Sequence, residues 1–400
     1  NSMIKSKINN AVVLSDNMTM KNNSKVEAAK DANVTVTNAL VMNDSSMISA
    51  GNDANVSVTN DLTMNDDSSI VAAKDAEVDA TNIIMNNNSL ISAGIKAVVK
   101  AWNNLTMNNK STIEADAGKT EVTVTNHLEI NNKSVIKSKQ SNTVVKATSA
   151  EMNDNSKIKG ETDVKVDITG GNLVMNDNSM IKAKKNNATV ISNNLTMNGN
   201  SSILAAKKAD IDVTNDMTMN GTSSITADDG AGNGKVEVDV NNNLTMNDTS
   251  NVNSGKDMDV TVANGNMTMN GDSKLNAVNN LNVEVQAGNL LMTGIGTGPT
   301  GSQMNAGKEA KIKVNAGDMN MQDAARIEAV EKVDIEVTSG NMTMDNDSKI
   351  ISQTKNVIID VLAGNINIYG GALIHAIAQD VILYVNQVLT MGQTGVPSTG

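Results

Sequence analysis

The chain has 400 residues, 44 acidic against 32 basic side chains, a formal net charge of −12, and neither Cys nor Phe. That composition leaves no disulfide framework and no cysteine-ligated zinc, and no run of about 18 apolar residues is present to cross a bilayer. With a single Arg and only one Trp and two Tyr, the acidic chain is poorly equipped to neutralise phosphates or stack bases, so nucleic acid is not an expected partner.

Asn is the dominant residue, at 62 positions, while 39% of the chain is apolar. Disorder would fit the Asn, Ser and Lys content, but Val, Ile, Leu and Met recur at fixed spacing, which a disordered segment has no reason to keep. The opening Asn1-Ser2-Met3-Ile4-Lys5-Ser6 is in register with Asn23-Ser24-Lys25-Val26. The chain is therefore expected to begin just after a missing Leu-Thr-Met, as a processed or excised segment with no cap of its own. From there Leu62-Thr63-Met64-Asn65 and its equivalents return along the whole sequence, with Met20, Met42, Met64, Met85 and Met107 opening a column that runs to Met391. The spacing gives 17 units of about 22 residues.

Each column has a chemical identity. Two residues before the Met column every residue is apolar, and six after it 15 of 17 are aliphatic, with Gly298 and Pro397 as the exceptions. Four after it 13 of 17 are Ser, and one after it 11 of 17 are Asn. Within a unit the period is two, as in Leu-Thr-Met, Val34-Thr35-Val36 and Ser-x-Ile-x-Ala, which marks short half-buried strands punctuated by Asn, Asp and Gly. The predicted fold is all-β, a right-handed parallel β-helix (a solenoid) of about 17 coils with three strands per coil. At about 4.8 Å per coil the stack would be roughly 80 Å long. Stacked Asn side chains at the corners are expected to form hydrogen-bonded ladders, and the Ser hydroxyls to satisfy nearby backbone groups.

Residues 1–356 carry the regular repeats. Two spacings are long, owing to insertions at 228–235 and 293–303, where Asp228, Asp229, Asn233, Thr297 and Pro299 are candidate recognition-loop residues if the insertions are more than tolerated surface loops. Residues 357–400 are more apolar and hold both Tyr residues, and Ile366, Ile368, Tyr369, Ile382 and Tyr384 are the candidate assembly surface.

Chemistry-bearing constellations are sparse. His127 and His375 fall about eleven coils apart, and the Ser columns have no His expected within reach. Acidic-polysaccharide cleavage would want clustered carboxylates and an Arg, and Arg326 stands alone. Asp44 and Asp66, or Asp154 and Asp177, could share a cation, but a turn column in which Asp, Asn and Gly interchange explains them better, as ordinary β-propensity explains the outward Thr row. No enzyme activity, cofactor or metal is expected.

The units Asn266-Met267-Thr268-Met269-Asn270-Gly271-Asp272-Ser273-Lys274-Leu275-Asn276-Ala277 and Asn280-Leu281-Asn282-Val283-Glu284-Val285 resemble the repeats of filamentous haemagglutinin-type, two-partner-secreted bacterial exoproteins and adhesins. That resemblance spans nearly all units, although Met and Asn stand where Leu and Gly are usual. It implies an extracellular or surface-displayed bacterial β-helical rod. The expected function is structural: a rod that forms or belongs to a filament through association with itself or a longer parent chain. The alternative is an adhesin stalk whose loops bind a host or surface ligand, with a polysaccharide-active enzyme third. No membrane insertion is expected.

Overall fold

The computed structural model describes residues 2–294 and 301–392. The described chain is all-β and wound as a right-handed parallel β-helix, with strands joined to their equivalents one turn away. Contacts divide it into two compact units, Asn1–Asn193 with Ser201–Ala205, and Asn194–Asn200 with Ala206–Gly400. The change in composition at residue 357 does not coincide with that division.

In the first unit a turn comprises a four-residue strand such as Met47–Ala50, a short bend, and a long strand such as Ala54–Met64. Ten such short strands, Met3–Ser6 to Ser202–Ala205, occur among the described residues. Pairing is parallel and in register, Ile48 opposite Ile70 and Leu62 opposite Ile83. The predicted second and third strands run together here, with a register shift between Val58 and Asp61 marking the corner. Burial shows the same break, because Ala54, Val56 and Val58 face inward, three residues face out, and Leu62 and Met64 face inward again. One hydrogen-bonded sheet thus spans two walls, so the coil has two main sheets where three were expected.

The second unit keeps all three strands of a turn apart, as in Ser224–Ala227, Lys235–Val240 and Leu244–Met246. Seven short strands, from Ser224–Ala227 to Leu373–Ala376, stack among its described residues. Its later bends carry a column of Gly. A Cβ on Gly288 would lie 2.1 Å from the Gly265 carbonyl oxygen, and one on Gly340 would lie 2.0 Å from that of Gly317.

Each Met column ends in a sharp reversal. In Asn65-Asp66-Asp67-Ser68 the Ser68 N–H donates to the Asn65 carbonyl at 3.1 Å, while Asp66 and Asp67 have φ of 51° and 60°. Two left-handed residues inside an i to i+3 hydrogen bond make a type I′ turn. This explains the Asn, Asp and Gly in the column, since they tolerate left-handed backbone best. Asp44, Asp154 and Asp177 occupy the same left-handed position.

The interior is filled by the aliphatic columns, with Ile48, Ile70, Ile91 and Ile113 fully buried beside Leu62, Met64 and Leu105. Each such side chain contributes about 1.5–3 kcal/mol by leaving water. The Ser column is buried too, but its hydroxyls differ from expectation. Ser46, Ser68, Ser134, Ser156 and Ser179 have no hydrogen-bond partner for Oγ, whereas Ser111 donates to the Asn108 carbonyl at 2.6 Å. Small size at the turn exit, more than hydrogen bonding, suits Ser to this position. A buried hydroxyl without a partner costs about 1–3 kcal/mol. Ser156→Ala is therefore expected to raise the urea midpoint, by about 1 kcal/mol of stability. A lowered midpoint would show that the hydroxyl donates to the Asn153 carbonyl, as Ser111 does to Asn108.

The coil resumes inside the bounds 293–303 given for the second insertion. Gly294 and Gly301 form an antiparallel bridge at its base, after which Ser302 re-enters the buried Ser column and Met304 pairs with Leu275 inside the coil. The apparent break at Gly298 arises from counting a fixed offset from Met292 across the insertion.

Candidate functional site

The corner after the Met column carries the most ordered polar array. In the first unit Asn65 Nδ2 donates to Asn43 Oδ1 at 2.8 Å, Asn86 to Asn65 at 2.8 Å, Asn108 to Asn86 at 2.9 Å and Asn131 to Asn108 at 2.9 Å. Asn153 and Asn176 continue the ladder at 2.9 and 2.8 Å. Within the second unit Asn220, Asn247 and Asn270 form the same ladder, and the Thr293 hydroxyl donates to Asn270 Oδ1 at 2.9 Å. Beside the first-unit ladder, Asn87, Asn109 and Asn132 line a shallow groove of about 540 Å³ with Lys110, Lys133 and Asp154.

The 228–235 insertion is folded on itself. Asp228 Oδ1 accepts from the Gly230 N–H at 2.9 Å, and Asp229 Oδ1 accepts from the N–H groups of Ala231 and Asn233 at 2.8 and 3.2 Å. Asn233 Nδ2 donates to Asp229 Oδ2 at 3.1 Å. The Ala231 N–H and the Asn233 side chain hold the Asp229 carboxyl below the usual range. All three candidate recognition residues of this insertion thus fix its shape. Thr297 and Pro299 lie outside the described residues.

The five candidate assembly residues separate. Ile366 and Ile368 point into the coil and are buried, so they belong to its interior rather than an outer face. Tyr369 is half-buried, its hydroxyl donating to Asn367 Oδ1 at 3.3 Å. Ile382 is half-buried and Tyr384 is 58% exposed. Sequence reasoning missed their exposed neighbours Val381, Leu389 and Met391. Val381 pairs with Val357, and Leu389 and Met391 pair with Ile366 and Ile368, so these three continue inward columns.

One serine outside the Ser column has a histidine in reach: His127 Nδ1 lies 2.8 Å from Ser149 Oγ on the adjacent strand. The hydrogen bonds of the His127 side chain include no carboxylate to orient the ring, so the pair reads as a cross-strand polar contact. Arg326 pairs with Glu328 on its own strand. Trp102 sits at a register shift and is 62% exposed.

Outward columns are ionic. In the second unit Lys208 bridges Asp210 (3.0 Å) and Glu237, while Lys235 bridges Glu237 (2.6 Å) and Asp259 (2.7 Å) across successive strands. Burial, together with Glu237, Asp212 and Asp210 nearby, raises the Asp239 carboxyl. No group of three or more His, Asp or Glu side chains able to hold a metal ion occurs among the described residues.

No protein-family model, curated protein or solved structure matches the chain. Its functional reading therefore stands on its own residues and on the repeat pattern.

Proposed function

We propose that the chain is a structural protein, an extracellular β-helical rod that forms or belongs to a surface filament by end-to-end or lateral association, in the manner that the haemagglutinin-type repeats imply. The observation that carries this reading is the continuity of the columns. Within each unit, turn after turn spends its Met, Leu, Ile, Ser and Asn positions on one in-register stack, and outward positions change identity freely. A binding protein concentrates special residues at one place; this chain repeats the same ones. Main-chain and amide ladders of this kind resist pulling and proteolysis, and a net charge of −12 keeps such stacks soluble. A bacterial surface, with itself or a longer parent chain as partner, is the setting proposed.

Electron microscopy of the purified chain across a dilution series tests this. Filaments that lengthen with concentration are expected, and Tyr384→Asp combined with Ile382→Asp should abolish them while leaving the β-sheet circular dichroism unchanged. Isolated short particles at every concentration would sink the filament reading and leave a stalk, with the 228–235 loop as the first place to seek a ligand.

A further inference from the structure

The outward residue that follows the buried aliphatic column alternates in chemistry through most of the first unit. Lys5 is paired with Glu27 at 2.7 Å, Ser49 and Val71 follow, and Glu114 receives Lys137 at 2.9 Å. The column then breaks its own rule. Lys137, Lys159 and Lys182 are direct neighbours on three successive parallel strands, Val135–Ser138, Lys157–Gly160 and Met180–Ala183. Lys157 lies two residues before Lys159 on the same face of its strand. Like charges directly opposite on adjacent strands, about 4.8 Å apart, repel.

The carboxylates that could relieve this are already engaged. Glu114 is held by Lys137 and by Lys139 at 2.8 Å, and Glu161 by Lys184 and Lys185, both at 3.1 Å. Asp163 accepts from the Asn187 N–H at 3.2 Å and from Asn186 Nδ2 at 3.3 Å, and Asp167 pairs with Lys165 at 3.2 Å. Lys157, Lys159 and Lys182 form no ion pair with any described residue. Burial, with Lys157, Lys182 and Lys137 around it, lowers the Lys159 ammonium pKa. Lys137, Lys159, Lys182 and Lys184 line a hollow of about 200 Å³ with Ser138, Gly160 and Glu161, the last a carboxylate already held by Lys184 and Lys185.

We propose that this hollow is an oxyanion site, in which a phosphate- or sulfate-type group is held between Lys159 and Lys182 with Lys137 alongside. Lys159 and Lys182 on rigid strands supply up to about six N–H donors to a tetrahedral anion, and Lys137, which also pairs with Glu114, adds its remaining donors. Carboxylates more than about 10 Å away are screened at ordinary salt, and the two near ones, Glu114 and Glu161, are each held by two lysines. An anion there turns a repulsive file into a bridged one.

The test is a titration of protein carrying 13C-labelled lysine with sodium orthophosphate against sodium chloride at matched ionic strength, followed by NMR of the lysine ε-methylene groups. Signals are assigned by their loss in Lys159→Thr and Lys182→Thr. Saturable shifts largest at Lys159 and Lys182 are expected, and each single substitution should weaken phosphate binding about tenfold. Thr is the outward residue at the equivalent position 226, so both variants should fold, and either one suffices. Shifts that spread over all lysines, or equal shifts with chloride, would overturn the site. A linear polyphosphate at equal phosphate concentration separates the sources: tighter binding assigns a polymeric anion, equal binding a free ion.

Discussion

Gly288→Ala is expected to destabilise its unit by about 1–3 kcal/mol, the usual range for forcing extra volume into a packed site. The added methyl would sit 2.1 Å from the Gly265 carbonyl oxygen and 2.5 Å from its carbon. Neither obstacle is a flexible side chain. Both belong to the backbone of the preceding turn, which is itself held by the ladder that joins Val262 to Val285. Relief would require the turns to part at that corner, and the next Gly in the file, Gly317, already sits with its would-be Cβ 2.2 Å from the Gly288 oxygen. Urea unfolding followed by circular dichroism measures the effect. Gly230→Ala is the contrast, because nothing lies within 4 Å of its would-be Cβ, so its cost comes from the left-handed φ of 79° alone. Equal losses in the two variants would show that crowding between turns is not what selects Gly at 288.

Asn65→Ala is expected to cost a further large amount, about 2–4 kcal/mol, because the substitution strands two partners at once. Asn65 donates to Asn43 and accepts from Asn86, both at 2.8 Å, and all three side chains are half-buried. Removing the middle amide leaves a carbonyl on one side and an NH2 group on the other with reduced access to water. Asn60→Ala provides the control, since that residue donates to Asn38 at 2.9 Å in an exposed row, where water replaces the lost bond. A loss at Asn65 no larger than at Asn60 would show that the half-buried ladder is decoration on a coil held by its aliphatic columns.

Much of this was legible in the sequence because a solenoid writes its interior as columns. Leu62, Met64 and Ile70 could be placed inside from period-two alternation alone, and the Asn after each Met could be placed at a corner where amides stack. What escaped had local physical causes. Whether Val58 and Leu62 lie on one bulged strand or two separate ones depends on backbone hydrogen bonds through the corner, which residue pattern does not encode. Counting from Met292 hid Ser302 and Met304, since an insertion closed by its own bridge moves the columns without erasing them. Apolar content alone grouped Ile366 with Tyr384, although strand alternation turns the first inward and leaves the second in solvent. The lysine file at 137, 159 and 182 went unseen because attention to inward columns passes over the outward ones, where charge pairing between turns is decided.

The asparagine ladders also have a sense. Asn65 donates to Asn43, Asn86 to Asn65 and Asn108 to Asn86, and the exposed row repeats the order, Asn60 donating to Asn38 and Asn38 to Asn17. In every case the later turn gives the proton and the earlier turn holds the lone pair. The amide dipoles therefore add along the stack instead of cancelling. A chain delivered N-terminus first meets, at each new corner, an acceptor already oriented by the turn before it. The amide ladder thus needs no partner that has yet to emerge, whereas the backbone N–H of Ser45 at the same corner must wait for the Asp66 carbonyl of the next turn.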